Sequence, residues 1–403
     1  MKQKKSVPSV ESVVKEIQSL AKALGHPPDK ADFMKATGTE EWQIRKLFGG
    51  WSKAVEQAGF SPMLVKMAQM EKEIRRLNSA LDEANEHAVT STVLQQLIHG
   101  ANDHGFGEVA PWLAGPRKRT KATAGTPTLF LSDIHFDEVV KPEQVDFVNE
   151  FNHEIAVKRI KHCFSRAITL LKDHFSLPRY DGMVVALGGD MLSGNIHEEL
   201  AETNEQRILS SVLDLTDLLI TGIGMCADEF GKVFVPCVVG NHGRLHKKPR
   251  AKGRVRDNFE WLIYQYIAKY FASDDRVTVM IPDSADAQFS IYDLNMLLTH
   301  GDQFKGGGGV SGVFAPLMTG MARKQKRQQS VKRPFDIMMM GHWHQYIHTE
   351  SLLINGSVKG YDEFAYLMNF AYERPQQALF VAHPDKGCTF RMPVICEPSL
   401  SRA

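Results

Sequence analysis

The chain has 403 residues, 43% of them hydrophobic, which predicts two or three units with at least one sizeable core. Its formal net charge of +1 excludes a global electrostatic field that would attract the whole protein to nucleic acid or membrane. Its five cysteines are odd in number and form no CxxC pair, which is typical of a reduced intracellular chain. The basic N-terminus lacks the apolar segment of a secretory signal and no apolar run approaches a membrane span, so a cytoplasmic protein without a membrane partner is expected.

The first sixty residues have the spacing of several short helices. The stretch "SVESVVKEIQSLAKAL" places apolar side chains at helical intervals and stops at Gly25. Two short helical segments separated by Gly38 follow, and the second carries Arg45 and Lys46. This arrangement is compatible with a helix-turn-helix in which these two cations contact DNA, although small structural three-helix units have the same pattern. The sequence predicts a small all-α domain over residues 1–62.

The next segment carries a heptad-like apolar stripe. Apolar residues spaced by four and three run from Met63 to Ala88, with charged residues between them. Either one amphipathic helix packs on its own chain, or a short coiled coil makes a homo-oligomer through residues 63–88, and about three heptads leave both open. We predict a coiled-coil-like helix over 63–99 and a Gly-, Pro- and Ala-rich linker over 100–126.

From residue 127 to 403 the pattern is that of an α/β domain, because apolar β-branched runs alternate with helical patterns. Five predicted strands, "TLFLS", "MVVALGG", "VFVPCVVG", "NMLLT" and "DIMMMG", are followed at once by Asp, Asn or His. These side chains are Asp133, His135, Asp190, Asn241, His242, His300, His342 and His344. Ligands in open α/β sheets gather beyond the carboxyl ends of strands, so we expect these side chains to converge.

Their chemistry suits a pair of divalent transition metals, since imidazole and carboxylate donors occur together. Asp133 and His135 lie on the same side of an extended segment and can share one ion. Asp190, alone after two glycines, suits a bridging carboxylate. Two ions about 3.5–4 Å apart can clamp a phosphoryl group and lower the pKa of a shared water. We expect manganese, with iron, zinc or magnesium as alternatives.

The order Asp-x-His, Gly-Asp, Gly-Asn-His, His, Gly-His-x-His resembles the signature of the calcineurin-like metallophosphoesterases, over roughly residues 127–385. The resemblance implies a four-layer α/β/β/α sandwich of two sheets flanked by helices. It assigns one metal ion to Asp133, His135, Asp190 and His344, and the other to Asp190, Asn241, His300 and His342. It also makes His242 the catalytic histidine that protonates the leaving oxygen, after in-line attack by a hydroxide that the two ions share.

The sequence departs from this signature at one position. Many members of the family carry an acidic residue after Gly-Asn-His, and this residue hydrogen-bonds the catalytic histidine. Here Gly243 and Arg244 follow His242. A carboxylate that keeps the imidazole protonated must therefore come from elsewhere, and Asp137 and Asp302 are the candidates.

Two cation-rich segments, residues 244–256 and 305–333, follow predicted ligands. Local positive charge of this kind can bind the phosphates of DNA. The alternative is that these cations pair with acidic helices or keep a loop soluble, as most runs of charged residues do. Four glycines at 306–309 suggest a mobile loop that closes over substrate. The residues predicted to contact nucleic acid here are Arg244, Lys247, Lys248, Arg250, Lys252, Arg254, Lys305, Arg323 and Lys324.

The N-terminal segment resembles the homing-endonuclease-associated repeat. The resemblance rests on Leu24-Gly25, Pro28, Phe48-Gly49-Gly50-Trp51, Ala54 and Ala58-Gly59, with one extra glycine before the tryptophan. Such repeats accompany DNA-cutting enzymes, often of phage origin, so DNA binding is implied. The structural alternative is a helical unit packed around Trp42, Phe48 and Trp51.

These features together predict a metal-dependent phosphodiesterase that hydrolyses DNA, similar to the repair-type nucleases of the superfamily. One alternative is a phosphoesterase acting on nucleotides or cyclic nucleotides, with its basic loops explained by solubility. The other is a DNA-binding protein whose metal site is silent.

Overall fold

A computed structural model describes residues 8–60, 108–113, 124–175, 179–306 and 312–397. The chain divides into two compact units, Met1–Gln96 and Leu97–Ala403. The predicted coiled-coil-like helix, with its oligomerising stripe, and most of the glycine run at 306–309 lie outside the described residues. These two predictions therefore stay predictions.

Within residues 8–60 the first unit consists of short helices. They are α1 (Val10–Leu24), α2 (Lys30–Thr37), α3 (Glu41–Phe48) and α4 (Trp51–Gln57). The first three end at glycines with left-handed backbone, which closes each helix. Ile17, Phe33 and Ile44 form the core, and the Phe33 ring lies 5.1 Å from that of Trp51. The all-α prediction is confirmed, but Trp42, expected in the packing, is 47% exposed.

The described part of the second unit contains eleven strands and several helices. The strands are β1 (Thr126–Leu131), β2 (Met183–Leu187), β3 (Val233–Pro236), β4 (Val277–Met280), β5 (Asp286–Ile291), β6 (Leu294–Thr299), β7 (Ile337–Met340), β8 (Ile347–His348), β9 (Leu352–Ile354), β10 (Gln376–His383) and β11 (Gly387–Ile395). The helices are α5 (His153–Asp173), α6 (Glu198–Thr203), α7 (Ile208–Phe230), α8 (Phe259–Tyr270), α9 (Phe314–Ser330) and α10 (Glu363–Leu367), with 3-10 turns at Pro142–Gln144 and Phe271–Ser273.

The strands form two mixed sheets. Sheet A has the order β11-β10-β1-β2-β3-β4, and sheet B has the order β5-β6-β7-β9-β8. Strands β1 to β4 are mutually parallel, as are β6, β7 and β9. Parallel strands present their carboxyl ends at one edge of the sheet, which is where the predicted ligands follow.

The sheets pack face to face and are covered by helices. Phe130 and Phe234 of sheet A share a buried cluster with Phe289 and Met339 of sheet B. Helices α5, α7 and α8 contact strands of sheet A, while Leu317 of α9 packs on the other face of sheet B. Because alternate side chains of a strand point to opposite faces, the order is helix, sheet, sheet, helix. The predicted four-layer sandwich is confirmed.

Residues 108–113 correct the predicted linker over 100–126. Leu113 is buried in the cluster between the sheets, and Trp112 packs against it. The carbonyl of Leu113 also accepts a hydrogen bond from the Tyr292 backbone amide at 3.1 Å. These residues are part of the sandwich, because their apolar side chains gain more from burial than from solvent.

Helix α7 is long and apolar enough to cross a membrane by length and composition alone. Its buried residues include Leu215, Leu219 and Ile223, and the helix contacts β2 and β3. Asp214 and Asp217 lie on its exposed face. The apolar stripe is therefore explained by packing on sheet A.

Candidate metal centre

The five predicted strand ends meet at one edge of the sandwich. Sheet A contributes the segments after β1, β2 and β3, and sheet B those after β6 and β7. Three sets of donors each have their ligand atoms within 4.8 Å of one another: Asp133, His135 and His344; His135, Asp190 and His242; Asp190, His300 and His342. Since His135 and Asp190 each belong to two sets, the donors form one continuous cluster.

The donor atoms of this cluster face one another. His135 Nε2 lies 3.1 Å from His344 Nε2, which in turn is 3.5 Å from Asp133 Oδ1. On the other side, His300 Nε2 lies 3.0 Å from Asp190 Oδ2 and 3.2 Å from Asn241 Oδ1. Facing imidazole nitrogens beside carboxylate oxygens are a donor set that suits divalent transition metals. The cluster is compatible with the two-metal assignment that the family resemblance implies.

Most of these residues have a backbone that side chains seldom adopt. The left-handed φ angles are 53° at Asp133, 50° at His135, 51° at Asp190, 70° at His342 and 52° at His344. Such conformations cost about 1–3 kcal/mol each and persist where the surrounding structure imposes them, often at functional sites. The fold holds these side chains inward at the strand ends against their local preference.

Two glycines make room for the carboxylates. A Cβ atom on Gly240 would lie 2.2 Å from Asp190 Oδ1, and one on Gly341 would lie 2.3 Å from Asp133 Oδ2. These contacts explain why a glycine precedes Asn241 and His342 in the sequence. Both carboxylates also accept backbone amides, Asp133 from His342 at 2.7 Å and Asp190 from His242 at 2.8 Å.

A buried amide network that the sequence did not reveal supports Asp133. Asn355 donates to the Phe130 carbonyl at 2.9 Å, to Ser132 Oγ at 3.0 Å and to Gln377 Oε1 at 2.9 Å. Ser132 Oγ donates to Asp133 Oδ2 at 2.5 Å. Asn355 and Gln377 lie far along the chain from Asp133, and they carry no motif that would have predicted this role.

A buried ion-pair network on the other side of His135 was also missed. Glu138 Oε2 lies 3.2 Å from His135 Nδ1, off the direction of a hydrogen bond, and Glu138 Oε1 accepts from Lys359 at 2.7 Å. Burial alone would raise the pKa of Glu138, but the Lys359 ammonium and His135 hold it well below its ordinary value. Burial, followed by the Lys359 charge, lowers the pKa of His135 to about 4. The imidazole is thus neutral at pH 7, as a metal ligand must be.

Glu260 is a second buried acid that the sequence did not single out. It accepts the backbone amides of Met191 at 2.9 Å and Gly240 at 2.7 Å. Burial, followed by the charge of Asp190, raises its pKa to about 8. Glu260 therefore ties together the two loops that carry Asp190 and Asn241.

The partner expected for His242 is not a carboxylate. Asp137 lies 2.6 Å from His153 Nδ1, and Asp302 accepts two hydrogen bonds from Arg254 at 2.6 and 2.8 Å. His242 Nδ1 instead lies 2.8 Å from the carbonyl oxygen of Ser193. Both sequence candidates are wrong, because each is already paired, and the carbonyl assigns the ring proton to Nδ1.

The first cation-rich segment borders the cluster. Arg244, Lys248, Arg250, Lys252 and Arg254 line a cavity together with Asn241 and Asp302. Arg244 donates to the carbonyls of Asn241, His246 and Lys247, so it also shapes the loop. Lys247 pairs with Glu198 at 2.8 Å, the kind of acidic-helix pairing that was the alternative.

The second segment divides differently. Lys305 and Arg323 line an open cavity of about 540 Å³ beside Phe304. Lys324 is only 6% exposed and pairs with the carboxylate of Asp286, so its prediction as a DNA contact is wrong. Arg45 and Lys46 are exposed at the end of α3, in the other unit.

Residues 8–61 match the family model of the homing endonuclease associated repeat. This confirms the N-terminal resemblance. No curated protein is similar in sequence to this chain.

Several solved structures match this chain in fold, and three of them are described here. A predicted phosphoesterase from Streptococcus pneumoniae TIGR4 has 11% identity, a TM-score of 0.25 and coverage of 68% of this chain and 98% of its own. For Vps29 complexed with zinc, from Entamoeba histolytica, the values are 13%, 0.26, 67% and 99%. For a dimetal phosphatase from Danio rerio they are 10%, 0.33, 68% and 99%. Because these identities and TM-scores are low, they carry no argument about the function of this chain.

Proposed function

We propose that this chain is a metal-dependent phosphodiesterase that hydrolyses DNA. The observation that carries the proposal is the convergence of carboxylate, amide and imidazole donors from five strand ends. Asp133, His135, Asp190 and His344 would hold one divalent ion, and Asp190, Asn241, His300 and His342 the other, with manganese expected. When bound, such ions supply Lewis-acid stabilisation of phosphoryl oxygens and a water of lowered pKa.

His242 would handle the proton of the leaving oxygen. Its Nδ1 is occupied by the Ser193 carbonyl at 2.8 Å, which leaves Nε2 to exchange a proton with substrate. Its ring lies 4.5 Å from that of His135, so it adjoins the donor cluster. Protonated at both nitrogens, the imidazole would donate to the departing sugar oxygen.

Two features support DNA as the substrate. Cations of the segment 244–256 line the cavity that begins at Asn241, where they can meet a phosphate backbone. The N-terminal unit matches a repeat described as associated with homing endonucleases. This proposal also includes a homo-oligomer formed through residues 63–88, a phage origin and a cytoplasmic location. The five cysteines are free, as is typical of proteins in a reducing compartment.

The test is a digest with Mn²⁺ of end-labelled linear DNA and of circular DNA by the full chain. We expect degradation of DNA that is abolished by chelation and by His242→Ala. Hydrolysis of nucleotides or cyclic nucleotides, with DNA left intact at low salt, would favour the first alternative function. No hydrolysis of any phosphoester, together with retained DNA binding, would favour a silent metal site.

A further inference from the structure

Large apolar side chains are exposed together on two neighbouring segments of the second unit, residues 141–149 and 361–372. We call them the aromatic patch: Phe147, Val148, Phe364, Tyr366, Leu367, Met368, Phe370 and Tyr372. Hydrogen bonds join the two segments, from Lys141 N to Glu363 Oε1 at 3.0 Å and from Tyr366 Oη to Asp146 Oδ2 at 2.8 Å. Contiguous exposed apolar surface of this kind marks a binding site.

The rings of the patch are held in place before anything binds. Phe364 lies 5.9 Å from Phe370, and Tyr361 lies 5.6 Å from Tyr372, between ring centroids. Phe147 has a left-handed backbone, with φ of 60°, and its side chain is 74% exposed. A strained backbone that presents an aromatic ring to solvent contributes nothing to packing, which points to a ligand.

The patch begins and ends beside the metal centre. Just before it, Val358 N donates to the Asp133 carbonyl at 3.1 Å, and Lys359 contacts Glu138. Just after it, Glu373 accepts the backbone amide of Tyr346 at 2.7 Å, two residues beyond His344. The segment that carries Phe364 and Tyr372 therefore begins and ends next to residues that contact the Asp133 and His344 loops, whereas the basic segment adjoins Asn241.

The charges of the patch indicate which part of a nucleotide it can take. Its acids already have roles: Asp362 pairs with Lys359 at 2.5 Å, and Glu363 and Asp146 hold the two segments together. Within the two segments the acids outnumber the single cation, Lys141, so a phosphate backbone would be repelled. Neutral bases would not, and every base has a face that stacks on an aromatic ring.

We propose that the aromatic patch stacks one or two unpaired bases at the end of a strand whose scissile phosphate lies at the metal centre. The phosphates on the opposite side of that centre then meet the basic segment 244–256. Bases inside a duplex are already stacked on each other and cannot reach the patch. The inference rests on the proposed function and adds to it a substrate form, DNA with a single-stranded end.

Binding is measured with the full chain, in chelator to prevent cleavage, on an oligonucleotide with 2-aminopurine at the end of a single-stranded overhang. We expect its fluorescence to be quenched, and Phe364→Ala to weaken binding about fivefold or more. Leu213→Ala removes an exposed aliphatic side chain of α7, outside the patch, and should leave binding unchanged. Phe147→Gly is the second variant, because glycine accepts the left-handed backbone and keeps the fold.

Cleavage separates this inference from the proposed function. For each variant, the cleavage rate on overhang DNA is divided by the rate on a chromogenic diester. This ratio should fall at least fivefold for Phe364→Ala. It should not fall for the control Tyr270→Ala, which removes an exposed ring of α8. A wild-type protein that cuts no DNA contradicts the proposed function. One that cuts blunt and overhang DNA alike, with the ratio unchanged in Phe364→Ala, overturns the patch alone. So does a patch variant that alters only self-association.

Discussion

The candidate metal donors and the cations beside them follow the same strands, yet the fold holds them in different ways. Asp133 and Asp190 are buried and fixed by backbone amides at 2.7 and 2.8 Å. The cations differ among themselves, since Lys324 is buried in an ion pair while Lys252 is exposed. A carboxylate can bind a metal ion when the fold buries it and fixes its position. A cation, in contrast, can bind a phosphate only when no carboxylate of the chain has already paired with it.

Removing a central donor should have the largest effect. Asp190→Asn keeps the size of the side chain and its hydrogen bond from His242 N but removes the negative charge between the two metal positions. Losing several kcal/mol of charge stabilisation corresponds to about a thousandfold or greater loss of turnover. Turnover of a chromogenic diester and manganese affinity by calorimetry check this. Asp293→Asn, on an exposed turn, is the control, and a residual rate within tenfold of wild type would rule out Asp190 as a central ligand.

Moving His242 without touching a ligand tests the precision of the site. A Cβ atom at Gly194, where φ is +71°, would lie 1.9 Å from the His242 carbonyl, so Gly194→Ala must shift this loop. A displacement of about 1 Å at a catalytic group costs about a hundredfold in rate. The rate of DNA cleavage should fall by this order while manganese affinity stays near wild type.

The matched control is Gly224→Ala, which has open space around the new methyl. Alanine in the interior of α7 should raise the melting temperature slightly, because it favours the helix by up to about 1 kcal/mol over glycine. If both glycine variants cleave DNA equally well, the Ser193–Gly194 loop does not position His242.

The two kinds of cation should respond differently to substitution. Lys248 and Lys252 are exposed at the cavity beside Asn241, so a double alanine variant should lower the slope of log affinity against log salt by about 1.5. Lys324→Met, in contrast, removes one of the two cations that pair with Asp286 and should destabilise the fold by about 1–3 kcal/mol with the slope unchanged. Salt titrations of DNA binding and denaturant unfolding measure the two effects. An unchanged slope in the double variant would remove this surface from the DNA path.

The smallest expected effect concerns a buried imidazole outside the metal centre. Burial, followed by the charge of Arg391, lowers the pKa of His348 from 6.5 to about 4. The unfolded chain binds a proton at His348 more readily than the folded chain does. The contribution of the neutral ring to the free energy of unfolding is therefore complete above pH 6.5 and is lost as the pH falls from 6.5 towards 4. Because the ring is partly exposed, about 1 kcal/mol of unfolding free energy is expected.

His348→Phe should remove this dependence, since the ring packs 5.9 Å from Phe380 and an apolar side chain suits that contact. Free energies of unfolding in urea at pH 7, 5.5 and 4.5 compare the variants. His174→Phe, exposed beyond the end of α5, is the control. A pH profile that stays identical in His348→Phe would exclude this group.

The residues that predicted the metal centre share one property, since each lies in the loop that follows a largely buried strand. Asp133 follows β1 and His300 follows β6, so local sequence places each at a strand end and parallel pairing brings the ends together. Lys359 and Glu138 lie 221 positions apart, and Asn355 and Ser132 lie 223 apart. No local pattern connects such pairs, so the sequence did not reveal the residues that orient the ligands.

The sequence by itself determined five of the strands and the polar residues that follow them, because hydrophobic periodicity and glycine turns are local properties of the chain. Only the tertiary structure decided that the His242 ring hydrogen-bonds a backbone carbonyl, that Lys324 forms an ion pair with Asp286, and that residues 108–113 belong to the core. Each of these outcomes is a competition among partners distant in sequence. Electrostatic pairing and burial depend on distance in space, and the fold alone sets that distance.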